Sequence, residues 1–474
     1  MSAPLRPIDW RFLLADPAPR RIAHAAAVAP AVVAALQAIG EDVVPLDGAA
    51  HDRDLVVTAD ADASTLRAAH AALQPGGVLY ATWGARRGPR AARAVAAAAF
   101  RDVRTYWRPG GDDRLWLSSD GTSGITAALH DRSALRRAAH LTRPLHGAAG
   151  LGLPRAIVAV RAGGDGVASP VLPDLGPLGP ASGIVLRAPG GSERNKVVLF
   201  VAGPDGAPSG VVKLARIEAA RGGLAREARS LAALAPVADA VGAPRLLFHR
   251  EADDAVGESL VTGEPLTGAI ERDGLAAVIA PVTDWLITLA QATTDGDAHP
   301  GAVIDDILAE FTGAFADLVA ADDLERARDL VGALPPLPSV FEHRDCSPWN
   351  LLERPSGGIA GLDWESAEPR GIPLTDLAYF LAYGGFTDDR PADADLAASY
   401  ARRLASEPGL EAERRYCAAV GVPEQAVPAL RVLTWMIHAC TAAAEQADEP
   451  PRPNAWSTTT TLLALWRAAL AAAA

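Results

Sequence analysis

One loop constrains this chain of 474 residues more than any other feature of the sequence. Residues 341–352 read Phe-Glu-His-Arg-Asp-Cys-Ser-Pro-Trp-Asn-Leu-Leu, and Pro348 prevents a helix from continuing through the segment. Asp345 and Asn350 therefore lie five positions apart on irregular backbone. Their carboxylate and amide oxygens are hard donors, which Mg²⁺ prefers. The loop thus predicts two of the ligands of a magnesium site.

A second carboxylate follows a short distance along the chain. The apolar run 359–362 predicts a strand, and Asp363 stands at its end. With Asp345 and Asn350 it supplies ligands for one or two Mg²⁺ ions and leaves one carboxylate to receive a hydroxyl proton. Phosphoryl transfer requires such a set, a metal clamp together with a weak base.

The residues that would contact phosphates in such a site are predicted upstream, in an antiparallel β-meander. The apolar runs 184–188, 196–202 and 211–215 are separated by turns, and Lys213 lies in the third of them. Its compact ammonium suits a point contact with phosphates. Glu227, on the helix predicted next, offers a carboxylate to fix that ammonium as an ion pair.

The turn between the first two strands of the meander reads Pro-Gly-Gly-Ser. Its residues Gly190, Gly191 and Ser192 would let backbone N–H groups approach phosphates closely. Such turns are common, so the signal lies in its position ahead of the lysine strand. Lys196, next to Asn195, either contacts nucleotide or closes the hairpin, and the sequence leaves both readings open.

The rarity of lysine and asparagine strengthens this interpretation. Of 44 basic residues only two are lysines, Lys196 and Lys213, and asparagine occurs three times in the chain. Such a composition indicates a drift toward Arg and Ala wherever chemistry permits. Lys213 and Asn350, which survive that drift, are therefore better explained by function than by an ordinary surface position.

The region before the meander has a different pattern, in which short strand-like runs alternate with Ala-rich helical runs. This alternation favours a largely parallel α/β sheet. The predicted strands are 21–24, 42–46, 54–58, 78–82, 103–106 and 114–117, and the predicted helices are 31–38, 63–73 and 90–98. Residues 121–182 are irregular and rich in Gly and Pro, as in a connecting segment.

Three motifs in the second half carry a resemblance to a known family. Residues 343–350, His-Arg-Asp-Cys-Ser-Pro-Trp-Asn, match the His-x-Asp-x4-Asn loop of the aminoglycoside phosphotransferase and choline kinase family. Residues 362–365, Leu-Asp-Trp-Glu, resemble its Asp-containing metal segment, and residues 371–377 resemble its Gly-x-Pro-x-x-Asp element, in which Asp376 is structural. The resemblance runs from about residue 182 to the end and implies a bilobal protein-kinase-like fold.

The resemblance also implies roles for the catalytic residues. Asp345 is expected to act as the base or to orient the acceptor hydroxyl, and Asn350 and Asp363 are expected to hold Mg²⁺. His343 is better read as a buried scaffold residue than as a base. Glu365 is expected to support the ligands rather than to bind the metal.

For the nucleotide, the resemblance implies that Lys213 contacts the phosphates and Glu227 is its partner. Leu260 and Thr262 lie in the expected hinge, 260–264, which contacts the base. Either ATP or GTP would serve as the donor.

The N-terminal region resembles part of a second family. Residues 54–58 and 73–80 resemble the fourth and fifth strands of class I S-adenosylmethionine-dependent methyltransferases, and residues 100–106 and 114–117 resemble their last two. The Gly-x-Gly turn of such enzymes is replaced by His-Ala-Ala-Ala-Val-Ala-Pro at 24–30, so the backbone cannot approach a cofactor closely. We interpret the region as a degenerate Rossmann-like module with a scaffold or substrate-recruiting role, and expect no S-adenosylmethionine binding.

The predicted fold class is thus an α/β N-terminal Rossmann-like domain plus an α+β bilobal protein-kinase-like domain with a mainly helical C-terminal lobe. The predicted bounds are 1–120 for the first domain, 121–181 for the connection, 182–267 for the small lobe and 268–474 for the helical lobe.

Charge and composition narrow the range of expected binding partners and of cellular locations. A net charge of −13 disfavours nucleic acid and suits a cationic substrate, although acidity for solubility is the commoner explanation. The longest uncharged stretch, 22–40, is Ala-rich and interrupted by Pro30, so it reads as a soluble helix. The three cysteines, Cys346, Cys417 and Cys440, show neither metal spacing nor a disulfide framework, and Cys346 reads as a spectator thiol. With no secretory signal visible, a cytoplasmic protein without membrane contact is expected.

The expected activity is ATP/Mg²⁺-dependent phosphorylation of a hydroxyl group on an aminoglycoside, an amino alcohol or a sugar. Phosphorylation of a Ser or Thr in a peptide natural product is the alternative within the enzyme class. A non-catalytic pseudokinase-like scaffold is the competing class, and a methyltransferase–kinase is a third. The presence of Lys213, Glu227, Asp345, Asn350 and Asp363 favours a catalyst.

Overall fold

The structure is a computed structural model that describes residues 4–84, 88–108, 115–119, 155–161, 175–188, 194–252, 255–294, 300–389, 396–448 and 459–473. The chain divides into two compact units. The first comprises Met1–Leu224 and Leu247–Leu260, and the second comprises Ala225–Leu246 and Val261–Ala474. The predicted domain bounds differ from this division and stay a prediction.

The strands are numbered in chain order. They are β1 (Arg21–His24), β2 (Asp42–Pro45), β3 (Arg53–Ala59), β4 (Leu73–Trp83), β5 (Phe100–Trp107), β6 (Leu115–Ser118), β7 (Arg155–Arg161), β8 (Gly183–Arg187), β9 (Val197–Ala202), β10 (Pro208–Leu214), β11 (Leu246–Arg250), β12 (Ala255–Glu258), β13 (Glu264–Pro265), β14 (Val340–Glu342), β15 (Leu351–Glu353), β16 (Ile359–Gly361) and β17 (Glu368–Gly371).

The α-helices are numbered in the same way. They are α1 (Pro30–Ile39), α2 (Ala63–Ala72), α3 (Gly88–Ala97), α4 (Arg221–Leu234), α5 (Ala238–Val241), α6 (Leu266–Asp273), α7 (Ala276–Thr293), α8 (Gly301–Phe315), α9 (Ala321–Gly332), α10 (Thr375–Asp389), α11 (Leu396–Leu404), α12 (Glu407–Val420), α13 (Val427–Asp448) and α14 (Thr459–Ala472).

The beginning of the first unit is the predicted α/β arrangement. Strands β2, β1, β3 and β4 lie side by side and parallel, with α1 between β1 and β2 and α2 between β3 and β4. Parallel neighbours need such crossover connections, and the helices bury their apolar faces on the sheet. The Rossmann-like part of the predicted fold class is confirmed.

The segment expected to be an irregular connection contains a central strand. β7 pairs antiparallel with β4 on one side and with β5 on the other. Its run Ala-Ile-Val-Ala-Val is buried, as expected of a strand covered on both faces. The prediction of irregular structure was wrong here because the Gly and Pro content of the surrounding segment masked a strand of seven residues.

The predicted meander is also present, and it is continuous with the N-terminal strands. β8, β9 and β10 pair antiparallel in sequence order, and β12 follows on the far side of β10. β6 pairs with both β5 and β8, so within the described residues one sheet runs through twelve strands in the order β11-β12-β10-β9-β8-β6-β5-β7-β4-β3-β1-β2. The N-terminal region therefore shares a sheet with the strand that carries Lys213.

The second unit is mainly helical, as predicted, and its core includes residues of α7, α8, α10, α13 and α14 together with the short strands β14, β15 and β16. Two segments among the described residues, Ala276–Thr293 and Glu424–Ala444, are long and apolar enough by composition to cross a bilayer. They are 44% and 72% buried inside the protein, and core helices of globular proteins pass the same test.

Candidate active site

A short hairpin in the second unit brings Asn350 next to Asp363. Leu351 pairs with Gly361 across β15 and β16, and the amide of Leu362 donates to the carbonyl of Asn350 at 2.8 Å. Residues that precede β15 and follow β16 therefore lie opposite one another. The hairpin register thus gathers two of the predicted metal ligands at one end of the sheet.

The turn of this hairpin explains why the register is fixed. Gly357 and Gly358 have positive φ angles of +86° and +81°, which residues other than glycine rarely adopt. The amide of Arg354 donates to the carbonyl of Gly358 at 3.0 Å and closes the loop. Two glycines in succession therefore allow the tight return that places Asp363 beside the loop.

Asp345 is half-buried in the loop and surrounded by polar groups. Its carboxylate accepts from the side-chain amide of Asn350 at 2.7 Å and from the hydroxyl of Ser347 at 3.3 Å. Burial, and next the negative charge of Asp363, raise the pKa of Asp345 to about 8, with Glu365 adding to the rise. The hydrogen bonds from Asn350 and Ser347 oppose it. Three carboxylates thus share one region of low dielectric.

This cluster fits a divalent cation. Asn350 donates both to the carboxylate and, at 3.1 Å, to the backbone carbonyl of Asp345, so its Oδ1 is the amide atom left to bind a metal. No group of three or more His, Cys, Asp and Glu side chains among the described residues is arranged to hold a metal. Mg²⁺ is usually held by one or two protein carboxylates, water and substrate phosphates, so the Asn350 and Asp363 pair suits it.

His343 behaves as a scaffold. Its Nε2 donates to the carbonyl of Leu362 at 2.8 Å, and its Nδ1 accepts from the amide of Asp345 at 3.3 Å. Both ring nitrogens are therefore occupied within the site, and the side chain is fully buried. This geometry agrees with the scaffold interpretation of His343.

The backbone of the site is strained at two non-glycine positions. Arg344 has φ +60° and Asp363 has φ +66°, in the left-handed region that side chains other than Asn and Asp seldom occupy. The Asp376 carboxylate accepts from the amides of His343 at 2.7 Å and Arg344 at 2.9 Å, and the Arg344 side chain binds the buried Glu342. Asp376 therefore has the structural role that the resemblance implies.

Lys213 lies in the first unit with an ion-pair partner that the sequence analysis did not identify. Its Nζ is 3.1 Å from Oε1 of Glu258 on β12, and both side chains are buried. In the register of β10 and β12, Lys213 lies opposite Val256 and Val211 lies opposite Glu258, so the two charged side chains are diagonal neighbours on one face. Glu227 is fully buried on α4 and belongs to the second unit, so its pairing with Lys213 stays a prediction.

The other residues predicted to bind nucleotide are only partly within the described structure. Leu260 is half-buried and Thr262 is exposed, and the chain passes from the first unit to the second between Leu260 and Val261. Gly190, Gly191 and Ser192 lie outside the described residues.

The structure also shows a row of aromatic side chains near Asp345 that the sequence analysis did not predict. The Tyr379 hydroxyl donates to Asp345 Oδ1 at 3.5 Å, and its ring stacks on those of Tyr383 and His438 with centroids 4.3 and 4.0 Å away. Trp349 meets Tyr383 edge-on at 6.3 Å and is 46% exposed. The four-residue spacing of the tyrosines on α10, which places them on one helix face, was the signal available in the sequence.

Residues 185–416 match the family model described as the phosphotransferase enzyme family. This stretch, just under half of the chain, therefore matches the family that the sequence resemblance named. No curated protein matches the chain.

Several solved structures are similar to this chain over most of their own length. A choline kinase from Streptococcus pneumoniae is 14% identical, with 61% of this chain and 89% of that chain covered and a TM-score of 0.36. An ethanolamine kinase from Plasmodium vivax is 11% identical, with 60% and 82% covered and a TM-score of 0.38. An ADP-bound aminoglycoside phosphotransferase is 11% identical, with 61% and 93% covered and a TM-score of 0.35. Likenesses at these scores carry no argument about the activity of this chain.

Proposed function

We propose that this protein transfers the γ-phosphate of ATP, with Mg²⁺, to a hydroxyl group of a small molecule. The observation that supports it best is the half-buried Asp345 carboxylate, held by Asn350 beside Asp363 within the segment that matches the phosphotransferase family. Phosphoryl transfer needs little covalent chemistry from a protein and depends on positioning and charge stabilisation. The loop supplies both.

In this reaction the acceptor oxygen attacks the γ-phosphorus. The new oxygen–phosphorus bond forms as the bond to the bridging oxygen of ADP breaks, and the hydroxyl proton passes to the Asp345 carboxylate. Burial and the neighbouring charge of Asp363 raise the pKa of this carboxylate, which makes it a stronger base than an aspartate in water. His343 and Asn350 hold Asp345 in place during the transfer.

The nucleotide is divided between two sets of residues in this proposal. Asn350 and Asp363 would hold Mg²⁺, and the ion would supply positive charge to compensate the phosphates. Lys213 contributes a second positive charge to the phosphates, and Leu260 and Thr262 lie along the base. The donor is ATP or GTP, since none of these contacts distinguishes the two bases.

The aromatic row supports an acceptor that carries a protonated amine. Faces of Tyr and Trp rings attract cations, most strongly where water is excluded. Tyr379 and Tyr383 are buried, so the ring able to meet a cation is that of the exposed Trp349, at the end of a row whose Tyr379 hydroxyl contacts Asp345. An amino alcohol or an aminoglycoside meets this combination of negative charge and aromatic surface better than a neutral sugar does.

A phosphotransfer assay with a panel of acceptors tests the proposal. Wild type with ATP and Mg²⁺ is incubated with amino alcohols, aminoglycosides, neutral sugars and Ser-containing peptides, and products are detected by mass. We expect phosphorylation of an amine-bearing alcohol and its loss, by about 10²–10⁴-fold, in Asp345→Asn. The matched variant Trp349→Leu should raise KM for the acceptor and leave KM for ATP unchanged.

The other outcomes separate the alternatives. Phosphorylation of neutral sugars alone would support the kinase activity and exclude amine-bearing alcohols as acceptors. Phosphorylation of a peptide alone would move the acceptor to peptide natural products. If no product formed and no nucleotide bound, the proposed enzymatic activity would be contradicted and a non-catalytic scaffold role would be favoured.

A further inference from the structure

The first unit begins with a short 3-10 helical segment, Arg6–Leu13, whose polar side chains point inward. Asp9 and Arg216 are 1% and 2% exposed, although each carries a full charge. Arg216 Nε lies 2.7 Å from Asp9 Oδ1, and its Nη2 lies 2.9 Å from Asp9 Oδ2. The two residues are 207 positions apart, and their contact is a bidentate ion pair inside the protein.

A second contact holds the backbone at the same place. Arg11 donates from Nη2 to the carbonyl of Arg216 at 2.6 Å. Both the side chain and the main chain of Arg216 are therefore fixed by the N-terminal segment. A buried pair is costly to desolvate and is strongly destabilising when only one partner is removed, so its geometry constrains the surrounding chain.

The point that is fixed lies three residues after Lys213, just past the end of β10. Side chains alternate along a strand, so a slip of one residue would turn Lys213 to the opposite face. Val212 and Leu214, its neighbours in β10, pack in the same core as Ile8 and Trp10 of the N-terminal segment. The segment thus holds both the apolar face of the lysine strand and the residue that follows it.

The N-terminal segment is itself anchored to the parallel part of the sheet. Trp10 stacks on Tyr80 of β4 with ring centroids 3.7 Å apart, and Trp116 donates from Nε1 to the Tyr80 hydroxyl at 3.2 Å. Residues of β4 and β6 therefore fix the helix that carries Asp9. This gives the N-terminal region a direct connection to the lysine strand.

We propose that Asp9 and Arg216 are positioning residues that direct the Lys213 ammonium toward its phosphate ligand, and that the N-terminal region serves the kinase domain in this way. The assignment rests on the proposed function of Lys213 in nucleotide binding. Neither residue touches the substrate. They act through the strand that carries Lys213.

The test separates positioning from simple stability. Asp9→Asn and Arg216→Met each leave one buried charge without its partner, so both should lower the melting temperature. The double variant removes both charges and should recover part of that loss. If the pair positions Lys213, KM for ATP stays raised about tenfold in the double variant, while kcat changes less. If the pair only stabilises the fold, KM returns toward the wild-type value as stability recovers.

A control variant and a second readout complete the experiment. Asp42→Asn breaks the Arg53–Asp42 ion pair at the other edge of the same sheet and should leave KM for ATP within twofold. The chain has only two lysines, so lysine-selective isotope labelling gives two side-chain NMR signals, and Lys213→Arg assigns them. The Lys213 signal should shift in Asp9→Asn and in the double variant but stay in place in Asp42→Asn.

The NMR readout requires no nucleotide. Absence of ATP binding in wild type would contradict the proposed function, while the Lys213 signal would still decide whether the pair positions this side chain. An unmoved Lys213 signal in the double variant, or a KM that recovers with stability, would overturn the positioning proposal.

Discussion

The carboxylate loop and the lysine strand differ in the distance along the chain from which their supporting contacts come. Asp345 is held by Ser347 and Asn350, within five positions, and the hairpin that follows brings in Asp363. Lys213 instead meets a carboxylate from another strand of the sheet. The anchor that follows Lys213 comes from a segment 207 positions away.

This difference teaches which parts of a site a sequence reveals. A loop whose ligands support one another locally leaves a compact pattern of residue types. A strand residue depends on the register of the sheet and on partners that any distant acidic residue could provide. The loop is therefore recognisable in one chain, whereas the environment of the lysine is not.

The largest effect is expected where a buried charge loses its partner. Glu258→Gln removes the carboxylate 3.1 Å from the Lys213 ammonium and should lower the free energy of unfolding by about 3 kcal/mol. KM for ATP should rise at the same time. Denaturant titration and steady-state kinetics measure both.

Glu227→Gln is the matched control for this prediction, because Glu227 is the partner that the resemblance implies. We expect it to change KM for ATP less than Glu258→Gln does. A larger effect from Glu227 would show that the helix, and not the neighbouring strand, supplies the functional partner of Lys213.

A smaller effect is expected in the aromatic row. Burial, and next the positive charge of Arg344, lower the pKa of His438 to about 3. The unfolded chain therefore binds a proton below about pH 6.5 that the folded chain does not, and stability is lost as the pH falls from 6.5 toward 3. This group alone contributes at most about 1.4 kcal/mol per pH unit in that window.

His438→Gln should therefore flatten the dependence of unfolding free energy on pH between 6 and 4. Wild type, measured side by side by denaturant titration at each pH, is the reference. If the profile of the His438 variant ran parallel to that of wild type, this histidine would not be neutral and buried in the folded protein.

The smallest effect is expected for Cys346, the thiol inside the loop. The side chain is fully buried, and burial followed by the charges of Asp376 and Asp345 raises its pKa well above the usual value. We therefore expect a neutral thiol with no nucleophilic role. Cys346→Ala should cost about 1 kcal/mol of stability and keep kcat within threefold, measured side by side with wild type. A loss of kcat as large as that expected for Asp345→Asn would make the thiol part of the chemistry.

Particular elements show what the sequence could predict about the fold. Strand β1 matches its predicted bounds, because a short apolar run followed by an Ala-rich helical run is a local pattern. β7 could not be predicted, because its position between β4 and β5 depends on pairing with strands distant in sequence. Its own seven residues stand in a Gly- and Pro-rich segment that reads as a connection.

The site shows the same division. The spacing of Asp345, Asn350 and Asp363 was visible because loop and hairpin are contiguous. His438 could not be identified, because a histidine on an apolar helix reads as core until the helix is seen packed against Tyr379. The Asp9–Arg216 pair was equally hidden among 42 arginines and many acidic residues.

The central claim is that Asp363 and Asn350 form a metal-dependent nucleotide site. The most direct measurement is the shift in melting temperature with ATP, with and without Mg²⁺, on wild type and Asp363→Asn. Asparagine tolerates the positive φ of this position, so the variant removes the charge without adding backbone strain. Bound nucleotide stabilises wild type by mass action, by about 2.7 kcal/mol at a hundred times Kd. The account predicts that the Mg²⁺-dependent part of this shift is present in wild type and lost in Asp363→Asn. An equal Mg²⁺-dependent shift in both proteins, or none in wild type at millimolar ATP, would contradict it.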